Sequence, residues 1–395
     1  MLKRLTLVFI FMVLLLNVGC TSSKEETASN PEIASKEEET SNHETVSSEA
    51  NKEITRTRII IDQNGREVEI PEKIERIATG RILPFPAVWY LATGSADEII
   101  GIHPASKSAA ENSILRKFVP EILNAETSFI QGDEMNIEEL YKLNPDIVFM
   151  YGDKGNRLED LEGKGITTVG IRTMSIANGN SIETLNSWLE LLGKMTNQEE
   201  RASKIIEYGR KVEKEISEEV KVLKEEEKIK GLMIFRMSEK KIEVSGKNFF
   251  GNYWLKQTGA IDVAENDINI RADVDMEQIY KWNPEVIYIT NFTDIMPEDL
   301  YNNRVEGQDW SKIKAVKDKK VYKIPLGIYR WFPPCGDSPL MLKWLAQKNY
   351  PKIFKDYKME DEIKDYYNEF YDYTLTDEEI KSILNPVKEA SGGYK

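Results

Sequence analysis

Three arginines stand where a chain of alternating strands and helices would put groups that grip a ligand. Arg81 lies in Thr79-Gly-Arg-Ile-Leu-Pro-Phe-Pro86, just past a short apolar run; Arg236 directly follows Met233-Ile-Phe235; Arg330 sits in Tyr329-Arg-Trp-Phe332, beyond the run from Val321 to Pro325. A guanidinium offers a planar fork of donors that matches carboxylate or catecholate oxygens. The chain around them is acidic, with 53 Lys+Arg against 67 Asp+Glu and a formal net charge of -14. Arginines in cleft-forming loops of an acidic molecule point to an anionic ligand, such as a metal complex; for each of them an ordinary salt bridge is the alternative. Tyr151, Tyr329 and Trp331 also follow apolar runs, and their rings could cover a flat or greasy ligand.

Other chemistry is scarce. His103 follows Glu98-Ile-Ile-Gly-Ile102 and is one of two histidines, the other being His43 in a polar N-terminal stretch. A bare transition metal would need several converging His and carboxylate ligands. Direct metal binding is therefore disfavoured, although one axial contact to a haem iron from His103 or a tyrosine stays open, as does another cleft contact from His103. There is no nucleophile elbow, no metal-binding His pair and no Gly-rich phosphate loop, so the residues do not read as an enzyme. The negative charge repels phosphate backbones and argues against nucleic acid.

The elements that must position these groups announce themselves through an internal repeat. Asn136-Ile-Glu-Glu-Leu-Tyr-Lys-Leu-Asn-Pro-Asp-Ile-Val-Phe-Met150 matches Asp275-Met-Glu-Gln-Ile-Tyr-Lys-Trp-Asn-Pro-Glu-Val-Ile-Tyr-Ile289. Each copy predicts a short helix stopped by Asn-Pro, since proline disfavours helical geometry in the residue before it, followed by a buried strand. Further apolar runs at 98–102, 167–171, 230–235 and 321–324 alternate with helical stretches, which implies α/β lobes built on parallel sheets. In such sheets ligands sit beyond the carboxyl ends of the strands. Two facing lobes, 54–196 and 230–395, would then line one cleft. Between them, 197–229 is rich in Glu and Lys, lacks Pro and carries a mostly helical apolar stripe. It reads as one long connecting helix of ~30 residues, ~45 Å at the usual rise; a dimerising coiled-coil arm is the alternative. The tail Tyr366-Tyr-Asn-Glu-Phe-Tyr-Asp-Tyr373 has the spacing of a helix packed on the body rather than of an exposed binding patch.

At the N-terminus, Lys3 and Arg4 precede an apolar run from Leu5 to Leu16, the layout of an export signal over 1–19. Leu16-Asn17-Val18-Gly19-Cys20 resembles the bacterial lipoprotein cleavage box, departing from it at Asn17, where Leu is common. That resemblance implies diacylation of Cys20 and a membrane anchor. Residues 20–53 are Ser-, Thr- and Glu-rich and read as an unfolded tether.

From about Arg58 to Leu384 the order of motifs resembles the substrate-binding proteins of iron-siderophore, haem and vitamin B12 importers. The likeness runs through Asp62-Gln-Asn-Gly-Arg-Glu-Val-Glu-Ile-Pro71, Glu75-Arg-Ile77, the Asn144-Pro-Asp146 unit and Trp344-Leu-Ala346 to Tyr350-Pro351. It implies two lobes joined by a rigid helix, a monomeric receptor outside the membrane, and no enzymatic cofactor, with iron present only inside a chelated ligand. It further implies an ABC permease dimer with its ATPase as partner. By position in the repeat, it makes Glu138 and Glu277 the carboxylates that dock the permease. A ferric siderophore is the first expectation for the cargo, with a corrinoid or haem behind it.

Overall fold

Two β-sheets, one per lobe, are each buried on both faces, and this explains the uninterrupted apolar strands of the sequence. The computed structural model describes residues 56–132, 134–152, 157–174 and 176–391. The signal over 1–19, Cys20, the tether over 20–53 and Asp153 lie outside the described residues.

The N-terminal lobe opens with a hairpin of β1 (Thr57–Ile61) and β2 (Glu67–Pro71). Its strands β3 (Ile77–Thr79), β4 (Ile99–Gly101), β7 (Ile147–Tyr151) and β8 (Thr168–Ile171) form a wholly parallel sheet in the order β4-β3-β7-β8. A two-residue ladder, β5 (Ile130–Gln131) and β6 (Glu134–Met135), stands apart. The helices are α1 (Phe85–Thr93), α2 (Pro104–Glu111), α3 (Leu115–Phe118), α4 (Ile137–Leu143), α5 (Arg157–Glu162) and α6 (Ser181–Thr196).

The connector is α7 (Glu199–Val220), 22 residues and so about 33 Å long. It is shorter than the single helix over 197–229 that the sequence suggests. Asn197 turns left-handed at φ 56° and separates α7 from α6. At the other end, Glu225–Glu227 would place three carboxylates against the negative pole of a longer helix. The apolar stripe of α7, including Ile205, Val212 and Ile216, is buried against α6 and α12 (Ser338–Asn349) rather than left open for a coiled-coil partner.

The C-terminal lobe has strands β9 (Lys230–Ser238), β10 (Lys241–Ser245), β11 (Ile261–Asp262), β12 (Arg271–Asp273), β13 (Val286–Ile289) and β14 (Val321–Lys323). Here the expected parallel core, β9-β13-β14, is extended by antiparallel β10 and β12, with β11 alongside β9. Its remaining helices are α8 (Phe250–Gln257), α9 (Met276–Trp282), α10 (Pro297–Tyr301), α11 (Lys314–Lys317), α13 (Met359–Phe370) and α14 (Asp377–Leu384).

The two repeat copies are α4–β7 and α9–β13, and they fold alike. Asn144 and Asn283 end their helices in the left-handed region, at φ 47° and 41°. The acid after each Asn-Pro ties the neighbouring strand: Asp146 accepts from the Arg76 N–H at 2.9 Å, and Glu285 from the Lys230 N–H at 3.1 Å. Within β7, Ile147 and Phe149 enter a core shared by both lobes, whereas Val148 and Met150 face an outer cluster. Within β13, Val286 and Tyr288 enter the shared core, and Ile287 and Ile289 the outer cluster of their own lobe.

The tyrosine-rich tail seals the back of the molecule. Tyr366, Tyr367 and Tyr371 are buried, and Phe118 of the first lobe packs on Tyr367, Tyr371 and Tyr373. Arg201 of α7 donates to the carbonyls of Leu91 (2.7 Å) and Phe370 (2.8 Å), clamping α1 and the tail to the connector. Among the described residues no helix is long and apolar enough to cross a membrane.

Candidate functional site

The loops after the parallel strands meet in a cleft between the lobes. A cavity of about 480 Å³ opens there, with Gly152 and Arg172 on one wall and Asn248 on the other. Beside it the antiparallel extension of the second sheet supplies charge. Arg236 on β9 and Arg271 on β12 flank the buried Glu243 of β10, at 3.9 and 3.4 Å. Lys241 approaches the same carboxylate at 3.3 Å.

Lys241 also reaches Asp273, at 3.2 Å. Burial pulls Arg236 below the usual arginine range, and the charges of Arg271, Arg81 and Arg330 push the same way, against Glu243. Burial likewise lowers Arg330. Arg81, exposed after β3, therefore shares a field with three cations of the opposite lobe. The charges of Arg81, Arg271 and Arg330 thus all reach Arg236.

The rings that accompany these charges are phenylalanines. Phe235 lies 5.5 Å from Phe249, 5.0 Å from Phe292 and 5.6 Å from Phe332 between centroids. The Arg330 guanidinium carbon sits 4.6 Å above Phe292, and Arg271 sits 5.0 Å above Phe235. Such stacking holds a cation by its face and leaves its N–H edge available. Arg330 is only 3% exposed, and its Nε is buried without a hydrogen-bond partner among the described residues.

Several predicted contacts have other tasks. Trp331 is fully buried and donates its indole N–H to Asp337 Oδ2 at 2.8 Å, so its ring belongs to the core and not to a ligand surface. Tyr329 is also buried, and desolvation pushes its phenol up to about 12. Both lie in a loop that Asp337 organises: its carboxylate also accepts from the Ile328 N–H (2.9 Å) and from the hydroxyls of Tyr367 (2.9 Å) and Tyr371 (3.0 Å). His103 caps α2, its Nδ1 accepting the Ala105 N–H at 3.0 Å. Tyr151, half-buried at the end of β7, packs on the shared core.

Glu138 and Glu277 are both exposed in the first turns of α4 and α9, behind the N-caps Asn136 and Asp275. Sequence reasoning missed Arg172, although it directly follows an apolar run just as Arg236 does. Arg271 was hidden because β12 is too short to show a pattern. Phe292 stands 139 residues after Asp153, so the repeat could have flagged its loop.

Comparison with known proteins agrees with this architecture. Residues 84–326, more than half of the chain, match the family model of periplasmic binding proteins. The molybdate-binding protein MolA of Haemophilus influenzae is 24% identical over 333 residues, 80% of this chain and 91% of its own. A periplasmic solute binding protein of Veillonella parvula superposes with a TM-score of 0.76 at 34% identity, covering 86% of this chain and 100% of that one. CeuE of Helicobacter pylori, with Ni(II) bound, gives a TM-score of 0.65 at 25% identity, over 83% of this chain and 99% of that one. The chain therefore belongs to the periplasmic binding protein family, as an extracytoplasmic substrate-binding protein of an ABC importer.

Proposed function

We propose that this receptor captures an anionic, oxygen-rich iron chelate, a ferric siderophore of catecholate or carboxylate type. The observation that carries this reading is the pairing of Arg236 and Arg271 on the buried Glu243, with Arg81 and Arg330 close enough for their charges to act on Arg236. Ferric catecholate and citrate complexes are negatively charged and present oxygens that guanidinium forks can grip. Hydroxamate complexes carry little or no negative charge and would gain less from these guanidinium groups. Phe292, the half-buried member of the phenylalanine group, then covers a ring of the chelate, with Phe235, Phe249 and Phe332 packed behind it.

A bare tetrahedral oxyanion is the second reading, favoured by the likeness to the molybdate-binding protein. It too suits arginines, but a cavity of about 480 Å³ has room for a far larger guest. Tryptophan-fluorescence titration against ferric catecholates, ferric citrate, molybdate, haem and cobalamin separates these readings, with metal-free chelators as controls. Saturable submicromolar binding of a metal-loaded catecholate or citrate is the expected result. Saturation by molybdate alone would establish the oxyanion reading, and a response only to haem or cobalamin would overturn both.

In the same proposal the receptor works as a monomer, acylated Cys20 holds it at the membrane, and Glu138 and Glu277 dock it on the permease. Each carboxylate occupies the same slot of its lobe, as a two-subunit pore requires, and exposed charges of this kind set orientation and encounter rate. The clamped seam and α7 restrict closure to a small hinge motion.

A further inference from the structure

The cavity beside the Arg236 group carries one cation, Arg172, among otherwise neutral side chains. From the first lobe, Asn64 and Met174 join Gly152 and Arg172 in its wall; from the second come Asn248, Asn269 and Ile270. Asn64 donates its amide N–H to the Gly152 carbonyl at 2.8 Å, which leaves its side-chain oxygen as an acceptor. Asn248 donates to Asn269 Oδ1 at 3.0 Å, leaving the Asn248 oxygen as acceptor and the Asn269 amide as donor. Neutral acceptors and a donor therefore stand beside the apolar side chains of Ile270 and Met174, with Arg172 in the same wall.

The second-lobe wall is also held in a costly shape. Ile270 has φ 62°, a region that β-branched residues avoid, and Asn248 has φ 62° as well. Backbone bonds fix the pair of loops: Ile270 N–H to the Lys247 carbonyl (2.6 Å), Gly246 N–H to the Ile270 carbonyl (3.0 Å) and Lys247 N–H to the Ile268 carbonyl (2.9 Å). A Cβ on Gly246 would fall 2.3 Å from the Ile268 carbonyl oxygen, so the loops approach as closely as glycine permits. The strain leaves Ile270 37% exposed at the cavity. Strain that leaves an apolar side chain in water contributes nothing to folding, and such outliers gather at binding sites.

We infer that this chamber is a second subsite, which takes the neutral amide- or hydroxyl-bearing backbone of the chelator while the arginines take its charged head. An amide presents one donor and one acceptor, which the Asn269 amide and the Asn64 or Asn248 oxygen complement; Ile270 and Met174 cover the adjoining methylenes. The inference rests on the iron-chelate reading and specifies it: the cargo has a charged metal centre and an uncharged polar arm.

The test titrates the full chain with two ferric complexes, one of simple catechol in excess and one of a bis-catecholate carried on an amide-linked backbone. The native protein should prefer the amide-linked complex by about tenfold or more, the value of one to two good hydrogen bonds. Asn269→Ala should reduce that preference severalfold and leave the affinity for ferric catechol within about twofold. Ile270→Gly should do the same and also raise the melting temperature, because it releases the left-handed strain. An unchanged preference in both variants, or no preference in the native protein, would overturn the subsite alone. Failure of the native protein to bind either complex would instead overturn the iron-chelate reading, and the subsite with it.

Discussion

The two lobes share a duplicated helix-turn-strand unit, yet they contribute unequally to the cleft. The first sheet is purely parallel and offers Arg81 and Arg172 from loops. The second adds the antiparallel strands β10 and β12, and with them come Glu243 and Arg271 beside Arg236. After β7 the chain continues through Gly152, where an added Cβ would fall 2.1 Å from the Asn64 side-chain oxygen. After β13, Thr290 and Thr293 bond to the carbonyls of Phe235 and Met237, and the Lys323 ammonium donates to three carbonyls of the same loop. That bracing holds Phe292 under Arg330. Duplication thus accounts for the frame and for the matched positions of Glu138 and Glu277, whereas Glu243 and Arg271 lie on strands found in one copy only.

The symmetric part of this comparison predicts the largest effect. Glu138→Lys with Glu277→Lys should abolish uptake in cells while ligand affinity in vitro stays unchanged, and each single change should impair uptake about equally. A loss of affinity in the purified variant, or strongly unequal single effects, would refute the docking assignment.

The asymmetric part predicts the next. Arg236→Ala combined with Arg330→Ala removes two charge-assisted contacts, each worth ~1.5–3 kcal/mol, so affinity for an anionic chelate should fall by about 10²–10⁴-fold. Arg81→Ala should cost about tenfold or less, because that side chain is exposed and screened. Equal losses would mean that the lobes share the charge recognition after all.

Asp337 tests whether the second lobe's binding loop depends on a buried carboxylate. Replacing it by Ala strands four donors, and at ~1–3 kcal/mol for an unsatisfied buried group the chain should lose at least about 3 kcal/mol of stability. Its pH response has a defined sign. Desolvation pushes Asp337 up to about 6, from the 3.8 usual for an aspartate, and Asp262 is raised to about 6 for the same reason. Between these values the folded chain holds more protons than the unfolded one. The stability contribution is full below pH ~4 and is lost as pH rises through ~6, on the order of 3 kcal/mol for each group. Denaturant titrations at pH 4, 5, 6 and 7 should show this decline, and Asp337→Asn should flatten it by about half. An identical slope in the variant would exclude Asp337 as a source.

Much of this organisation was legible because it follows from local rules. The constant spacing of the repeat, the Asn-Pro stops and the double-sided apolar runs located both lobes; Arg81 and Arg330 do follow strands, whereas Arg236 lies within β9, which runs on to Ser238. Three features were not legible. Trp331 and Tyr329 occupy strand-end positions that look like cleft positions, and only the distant Asp337, Tyr367 and Tyr371 make their loop part of the core. Arg271 lies on a strand of three residues, too short for alternation to register. Ile270 takes a backbone conformation against its own preference, and residue type alone points away from it.

The smallest predicted effect distinguishes the two repeat copies within their common frame. Asn144 and Asn283 both stop a helix in the left-handed region, which costs alanine ~1 kcal/mol or slightly more. Only Asn283 has a second task, its Oδ1 accepting the Lys314 N–H at 3.0 Å. Alanine at 144 should therefore cost ~1 kcal/mol, and alanine at 283 about 1 kcal/mol more, since it also loses that hydrogen bond. Glycine separates the two contributions: Asn144→Gly should be nearly neutral, because glycine meets the backbone requirement, whereas Asn283→Gly should retain the hydrogen-bond part of the loss. Chemical denaturation of the four variants provides the measurement. Equal losses at 144 and 283 would show that the Lys314 bond contributes nothing, and that the two copies are equivalent in energy as well as in shape.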